Sequence, residues 1–290
     1  MGLIKLLLGR GANINSLSLD DTSVLGSAAL SGTCDTVEFL LDRGAIIDLP
    51  ALGSSGLVCA ATSGNTEVLK LLLRRAQRSV IETCHNAVHS AVSGEHTDAI
   101  ELLLDYGFSI EAVNSRGETP LITICSVAYL RSSAVIDCLL RRGADVTARC
   151  RNGDTALHRA LLLDIPDAIK SLIAAGSDLE ARNNSGATPL IGFPTSPRAG
   201  VRHLVGLKIL LDAGADVNAR DKRGRNVLHI LDSPFVDEKC KIELTRELLE
   251  RGVDINARDQ DGATPLGRLA QMNFPNEAFA AFLVAHGAVE

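Results

Sequence analysis

Tryptophan is absent from this chain, and aromatic residues of every kind make up only 3% of its 290 residues. A core without large rings must be assembled from Ala, Leu, Val and Ile, which suits thin helical layers packed close together. No apolar run approaches the roughly 20 residues of a membrane span. The stretch Leu3 to Leu8 is interrupted by Lys5 and is too short for a secretion signal. Leu6 stands where a myristoylation start would need Ser or Thr. A positive balance is missing too, since the formal net charge is −6, which argues against the broad basic footprint of a nucleic-acid binder. The seven cysteines are odd in number and form no Cys-x-x-Cys pair. Neither a disulfide framework nor a zinc site follows from them. Reduced thiols and an intracellular setting, cytoplasmic or nuclear, are the expectation. No glycine-rich phosphate loop is present either, so no cofactor is expected.

What is there is periodic. The stretch from Gly143 to Ile173 shows three signals in succession. Gly143 and Gly153 bracket a short polar hairpin, because glycine supplies the positive φ of tight turns. Thr155 then opens a brief helix carrying Leu157, Ala160 and Leu161. After a turn containing Pro166, a second helix carries Ile169, Leu172 and Ile173 at helical spacing. Neither helix is long enough to be stable alone in water. The unit must bury its apolar sides against further units, and hydrophobic residues amounting to 46% of the chain supply them.

Paired apolar anchors recur at Leu7-Leu8, Leu40-Leu41, Leu72-Leu73, Leu103-Leu104, Leu139-Leu140, Leu172-Ile173, Leu210-Leu211, Leu248-Leu249 and Phe282-Leu283. Most lead into a glycine (Gly44, Gly107, Gly143, Gly176, Gly214, Gly252), the signature of a left-handed helix C-cap. A helix-opening slot follows at Ser23, Ser55, His85, Thr119, Thr155, Thr188, Asn226 and Thr264. Its sharpest forms are Thr119-Pro120-Leu121, Thr188-Pro189-Leu190 and Thr264-Pro265-Leu266, where Thr caps the helix and Pro fits its first turn.

The chain resembles the ankyrin-repeat family, whose period is about 33 residues with a Thr-Pro-Leu-His-x-Ala signature. Thr155-Ala156-Leu157-His158-Arg159-Ala160 matches all but the Pro, and Gly214-Ala215-Asp216-Val217-Asn218-Ala219 matches the hairpin entry. The resemblance implies an all-α solenoid of stacked helix-turn-helix pairs with β-hairpin fingers. One domain is expected over 1–290, with a partial repeat at 1–16. Eight repeats would follow at 17–49, 50–78, 79–112, 113–148, 149–181, 182–219, 220–257 and 258–290. It further implies a protein-interaction scaffold that is not an enzyme, and a structural role for His158 and His229 in tying hairpin to helix.

Several departures matter. Between Leu73 and His85 the finger is shortened and has no glycine. Later repeats carry extra residues between their helices, with Pro194, Pro197, Pro234 and Pro275 among them. Neither end bears a polar cap, so the expectation is a fragment of a longer parent or an array whose ends meet another module. The oligomeric state is not set by the sequence, and a monomer is the plain expectation.

Catalysis finds no support. Adjacent Cys84 and His85 would point apart at a helix start, and His85 with His89 lacks further metal ligands nearby. Cys59, Cys125 and Cys138 read as small buried residues. Cys34, Cys84, Cys150 and Cys240 are expected nearer the surface. Recognition remains. The hairpin tips carry Arg116, Arg149, Arg151, Arg182, Arg220, Lys222, Arg223, Arg225 and Arg258, and the first helices add Arg159 and Arg268. The bland reading is a solvated row of tips. The sharper one is an arginine ridge on the concave face that binds an acidic partner segment through bidentate carboxylate contacts. A second candidate surface is formed by Phe193, Phe235 and Phe274, each next to a proline in a lengthened loop. The plainer alternative is that each ring folds back over its own loop. Two other functional readings stay open: a regulatory or targeting segment of a larger protein, and, more distantly, an enzyme or small-ligand binder.

Overall fold

A computed structural model describes residues 2–47, 55–77, 80–81, 84, 86–126, 133–193, 204–231, 236, 238–271 and 277–290. Among these the chain is an all-α repeat solenoid. It divides into two compact units, one comprising Met1–Ile124 and Ala134–Ala144 and the other Cys125–Ser133 and Asp145–Glu290.

In the first unit the opening helices Val24–Ser31, Gly56–Ser63 and Asn86–Ser93 pack on one another in sequence. Behind them Cys34–Leu41, Thr66–Arg75, Thr97–Asp105 and Ala134–Arg141 form a parallel row. The second unit repeats this arrangement. Its inner row is Ala156–Leu162, Pro189–Gly192, Val227–Leu231 and Pro265–Ala270, and its outer row is Pro166–Ala174, Leu204–Asp212, Glu238–Glu250 and Glu277–Ala285. The anchor leucines hold the rows together: Leu40, Leu72, Leu103, Leu139, Leu172, Leu210 and Leu248 are each fully buried. Burying one such side chain is worth about 1.5–3 kcal/mol, which offsets the poor intrinsic stability of such short helices.

The slots and glycines act as their chemistry requires. Ser23 Oγ accepts from Gly26 N (2.9 Å) and Thr264 Oγ1 from Gly267 N (3.1 Å), while Pro265 and Pro189 sit in first turns. At the other end Gly143 adopts φ +86°, and Ala144 N reaches back to Leu139 O (3.0 Å), closing the helix with a left-handed cap.

Three features differ from the sequence reading. The fingers are closed by turn hydrogen bonds, and among the described residues the one β interaction is the isolated bridge between Leu17 and Ser23. Between Thr66–Arg75 and Asn86–Ser93 a helical turn replaces the finger, with Val80 N bonded to Gln77 O and Cys84 N to Val80 O (both 2.9 Å). The expectation of surface cysteines holds only for Cys34, because Cys84, Cys150 and Cys240 pack inside the repeats at 5%, 7% and 2% exposure. His85, Pro194, Pro197, Pro234 and Pro275 lie outside the described residues. No helix among those described is long and apolar enough to cross a membrane.

Candidate functional site

The candidate arginines of the second unit lie on its fingers and inner helices, and the backbone they stand on is stitched together. Three of the fingers start with a residue whose side chain closes the turn. Asn183 Oδ1 accepts from Ser185 N and Ala187 N (both 3.0 Å), and Asp221 Oδ1 from Arg223 N and Arg225 N (both 2.9 Å). Asp259 does the same for Asp261 N and Ala263 N (both 3.0 Å). Successive tips are also bonded to one another. Asn184 N donates to Asn152 O (3.0 Å), Lys222 N to Ser185 O (3.1 Å) and Gln260 N to Arg223 O (2.8 Å).

Four arginines form a clamp at one position of successive fingers. Arg149 Nη1 donates to Gly153 O (3.1 Å) in its own finger and to Arg182 O in the next. Arg182 Nη1 likewise bonds Gly186 O (3.0 Å) and Arg220 O. Arg220 Nη1 bonds Arg258 O (2.7 Å), and Arg258 Nη1 bonds Gly262 O (2.7 Å). Three further candidates are engaged by carboxylates. Arg225 pairs with Asp221 (2.7 Å), Arg159 with Asp154 (3.3 Å), and Arg268 with Asp259 (2.6 Å) and Asp261. Burial alone would raise the Asp259 carboxyl. The Arg268 guanidinium and the two finger N–H groups outweigh it and hold the group below the usual carboxylate range.

The set of ten therefore divides. Seven guanidinium groups serve the fold, and the Lys222 ammonium donates to Asn184 O (2.8 Å). Arg151 and Arg223 are exposed, and their guanidinium groups have no hydrogen bond or ion pair among the described residues. The aromatic surface fares worse. Phe193 is 1% exposed, its ring folded into the second unit, so it cannot face a partner. Phe235 and Phe274 lie outside the described residues.

The histidines have a structural geometry. Thr155 N donates to His158 Nδ1 (3.2 Å), which leaves Nε2–H to donate to Ala187 O (3.1 Å) in the following finger. His229 repeats this with Asn226 N (3.2 Å) and Ala263 O (3.1 Å). Burial lowers the pKa of both. Sequence reasoning missed a third member. His89, one residue beyond the signature position, reaches Ala112 O (2.8 Å) and Thr123 Oγ1 (3.0 Å) in the first unit. It also missed a set of amide stitches. Asn218 Nδ2 donates to Gly252 O (3.1 Å) while its Oδ1 accepts from Asp254 N (2.7 Å), and Asn256 does the same with Gly287 and Val289. The legible signal was Asn four residues after an anchor glycine, as at Asn15, Asn218 and Asn256.

Among the described residues no group of three or more His, Cys, Asp or Glu stands where a metal could be held. The buried thiols are poor nucleophiles. Burial pushes Cys125 up to about 12, and burial together with Glu101 pushes Cys138 up to about 11. A cleft of about 130 Å³ opens in the second unit between fingers and inner helices, bordered by Asp154, His158, Ile191, Gly192 and Ile230.

Comparison with known proteins agrees with this geometry. A family model described as ankyrin repeats in three copies matches residues 1–81 and 125–221. The chain is 33% identical over 106 residues to the mouse (Mus musculus) B-cell lymphoma 3 protein homolog, which covers 36% of this chain and 23% of that one. It is 35% identical over 104 residues to the Danio rerio ankyrin repeat and SOCS box protein 11, covering 36% and 34%. A longer match, 24% identical over 191 residues, is to the Danio rerio putative palmitoyltransferase ZDHHC13, covering 64% of this chain and 29% of the other. The chain thus spans about a third or less of the length of these relatives. With tandem helix pairs, glycine-capped fingers and a matching model over most of its length, the chain belongs to the ankyrin-repeat family.

Proposed function

We propose that the chain is a non-catalytic interaction module whose second unit takes an acidic segment of a partner protein along its finger tips and inner helices. The observation that carries this reading is the pair of unengaged guanidinium groups, Arg151 and Arg223, beside the Lys222 ammonium on a backbone already locked by hydrogen bonds. Such groups cost little to organise, and guanidinium matches carboxylate bidentately. The remaining candidate cations neutralise the floor and hold the fingers in place. The reading is confined to protein partners, with the repeat boundaries given above. It is set inside the cell, since all seven cysteines are free thiols.

The test is affinity capture from a lysate with the wild-type chain and with the variant Arg151→Glu/Lys222→Glu/Arg223→Glu, the fold of each checked by circular dichroism. A partner held by wild type, released by added salt and lost from the folded variant is the expected result. Equal capture by both would overturn the tip site.

A second reading is favoured by one observation: relatives extend well beyond the matched part. In it the array is the regulatory or targeting segment of a larger protein, and its target is a domain of that same protein. Covalently joined versions would then show the tips protected from modification without any added partner.

A further inference from the structure

Gly192 ends the inner helix Pro189–Gly192 at a position, four residues beyond the slot, which neighbouring repeats fill with Arg159, Ile230 and Arg268. Glycine is a poor helix former, and it normally needs a reason. Positive φ is one such reason, but Gly192 is not among the glycines in that region. Close approach is another. At Gly206 a Cβ would come within 2.5 Å of Asp164 Oδ1, so glycine is required there. At Gly192 the nearest atom to an added Cβ is His158 Cδ2 at 4.0 Å. Neither backbone nor packing demands glycine here, and its effect is to leave a hole.

That hole is the cleft of about 130 Å³. It compares with the roughly 150 Å³ cavity that accommodates a benzene-sized molecule. Its polar border is already satisfied. Asp221 is paired with Arg225 (2.7 Å), and Asp154 accepts from Asn183 Nδ2 (2.8 Å). Both ring nitrogens of His158 are bonded, and Ser185 Oγ donates to Asn183 Oδ1 (2.7 Å). A polar or charged group entering the cleft would find no unengaged partner. An apolar group would cover the half-exposed Leu162 and the small remaining surface of Ile191 (2% exposed) and Ile230 (8%), and release water. The fingers that border the socket through Asp154, Asp221 and Arg225 also carry Arg151, Lys222 and Arg223.

We infer that the cleft beside Gly192 is a socket for one aliphatic side chain (Leu, Ile or Met) of the acidic segment, resting on the reading proposed above. The acidic residues would meet the tips, and the aliphatic one would set register and specificity. Hydrophobic anchors in closed pockets dominate such interfaces, while rim charges steer and orient.

The test uses random peptides displayed on phage, selected on the whole chain. Enriched sequences should combine Asp or Glu with one aliphatic residue at fixed spacing. An added Cβ at Gly192 meets nothing closer than 4.0 Å, so Gly192→Leu should keep its unfolding temperature level or raise it while peptide affinity falls tenfold or more. Gly192→Ala should cost only a few-fold. Replacing the aliphatic residue of the peptide by Ala should weaken binding to wild type but scarcely to Gly192→Leu, a coupling that a misfolded variant could not mimic. Undiminished binding to a folded Gly192→Leu, or additive losses in that cycle, would overturn the socket. If Arg151→Glu/Lys222→Glu/Arg223→Glu abolishes binding that Gly192→Leu retains, the socket falls and the tip reading stands. If only Gly192→Leu matters, the tip reading falls instead. Failure to enrich any such sequence would count against both.

Discussion

The fingers of the two units solve one problem differently. In the second unit Arg149, Arg182, Arg220 and Arg258 share one finger position, the last three just before a turn-closing side chain, and the first three reach the next finger. In the first unit that same position holds Leu17 and Val113, exposed at 42% and 58%. The turn-closing device itself is common to both. Ser18 Oγ accepts from Thr22 N (3.1 Å), and Asn114 Oδ1 accepts from Arg116 N (2.8 Å) and Glu118 N (3.1 Å). Fingers in both units therefore close their own turns, while among the described residues only the second unit adds a cationic clamp between fingers. The helix rows do not differ in this way, since both bury their anchor leucines completely. Stacking of helices buries the anchors in both units, and the clamp joins successive fingers of the second unit by side-chain hydrogen bonds.

The harshest way to probe this is to empty one core position in each unit. Leu103→Ala and Leu172→Ala remove fully buried anchors and should each cost about 2–5 kcal/mol in urea denaturation. The costs should be alike, but their reach should not. Hydrogen exchange in Leu172→Ala should quicken across the fingers near Gly153, Gly186 and Gly224 together. In Leu103→Ala it should quicken mainly around Gly107. Equally local opening in both variants would break the comparison.

Acid gives a second, smaller contrast. Burial lowers the pKa of His89, His158 and His229, which favours the neutral ring in the fold at neutral pH. Unfolded histidine takes up its proton near pH 6.5. Below that pH the unfolded chain binds more protons, so stability present at neutral pH is lost as pH falls from about 6.5 toward the folded-state pKa values. The second unit holds two of these rings and the first holds one. The double variant His158→Gln/His229→Gln should lose less stability than wild type between pH 7 and 5.5, and His89→Gln should flatten the profile about half as much. Parallel profiles for all three proteins would remove histidine from the account.

Much of this was legible in the chain, and the rest was hidden for identifiable reasons. Helix pairs and glycine caps follow from local spacing, because each depends on residues within one repeat or its immediate successor, and the roles of His158 and His229 came with the family resemblance. The proposed recognition site was legible only as a list of cations. Arg149 and Arg151 look equivalent in sequence, two residues apart on the same tip. One is turned toward carbonyl oxygens and the other toward solvent, a distinction set by finger-to-finger geometry. Phe193 was ambiguous for a related reason: an aromatic beside a proline can serve a surface or fold inward, and the plainer alternative holds for it, since its ring is buried. His89 was overlooked because the signature histidine shifts by one where the preceding finger is replaced by a helical turn.

The gentlest perturbation addresses the clamp alone. Arg182→Ala removes hydrogen bonds from a cation to Gly186 O and Arg220 O. Such bonds are worth more than neutral ones, but this side chain is exposed and screened, so the loss should be about 1 kcal/mol or less. The reverse experiment is Val113→Arg, which gives the first unit the residue that bonds its own finger in Arg149, Arg182 and Arg258. There the new guanidinium would aim at Gly117 O and remove an exposed apolar side chain, for a gain within about 0.5 kcal/mol. Amide exchange is the sensitive reading for both. Arg182→Ala should loosen the Gly186 and Gly224 fingers while the helices keep their protection, and Val113→Arg should slow exchange at Arg116 and Glu118. If exchange in the fingers is indifferent to both changes, the clamp is a consequence of helix stacking and couples nothing. The tip cations would then stand on fingers that move independently, and a partner touching Arg151 and Arg223 would have to order them on binding.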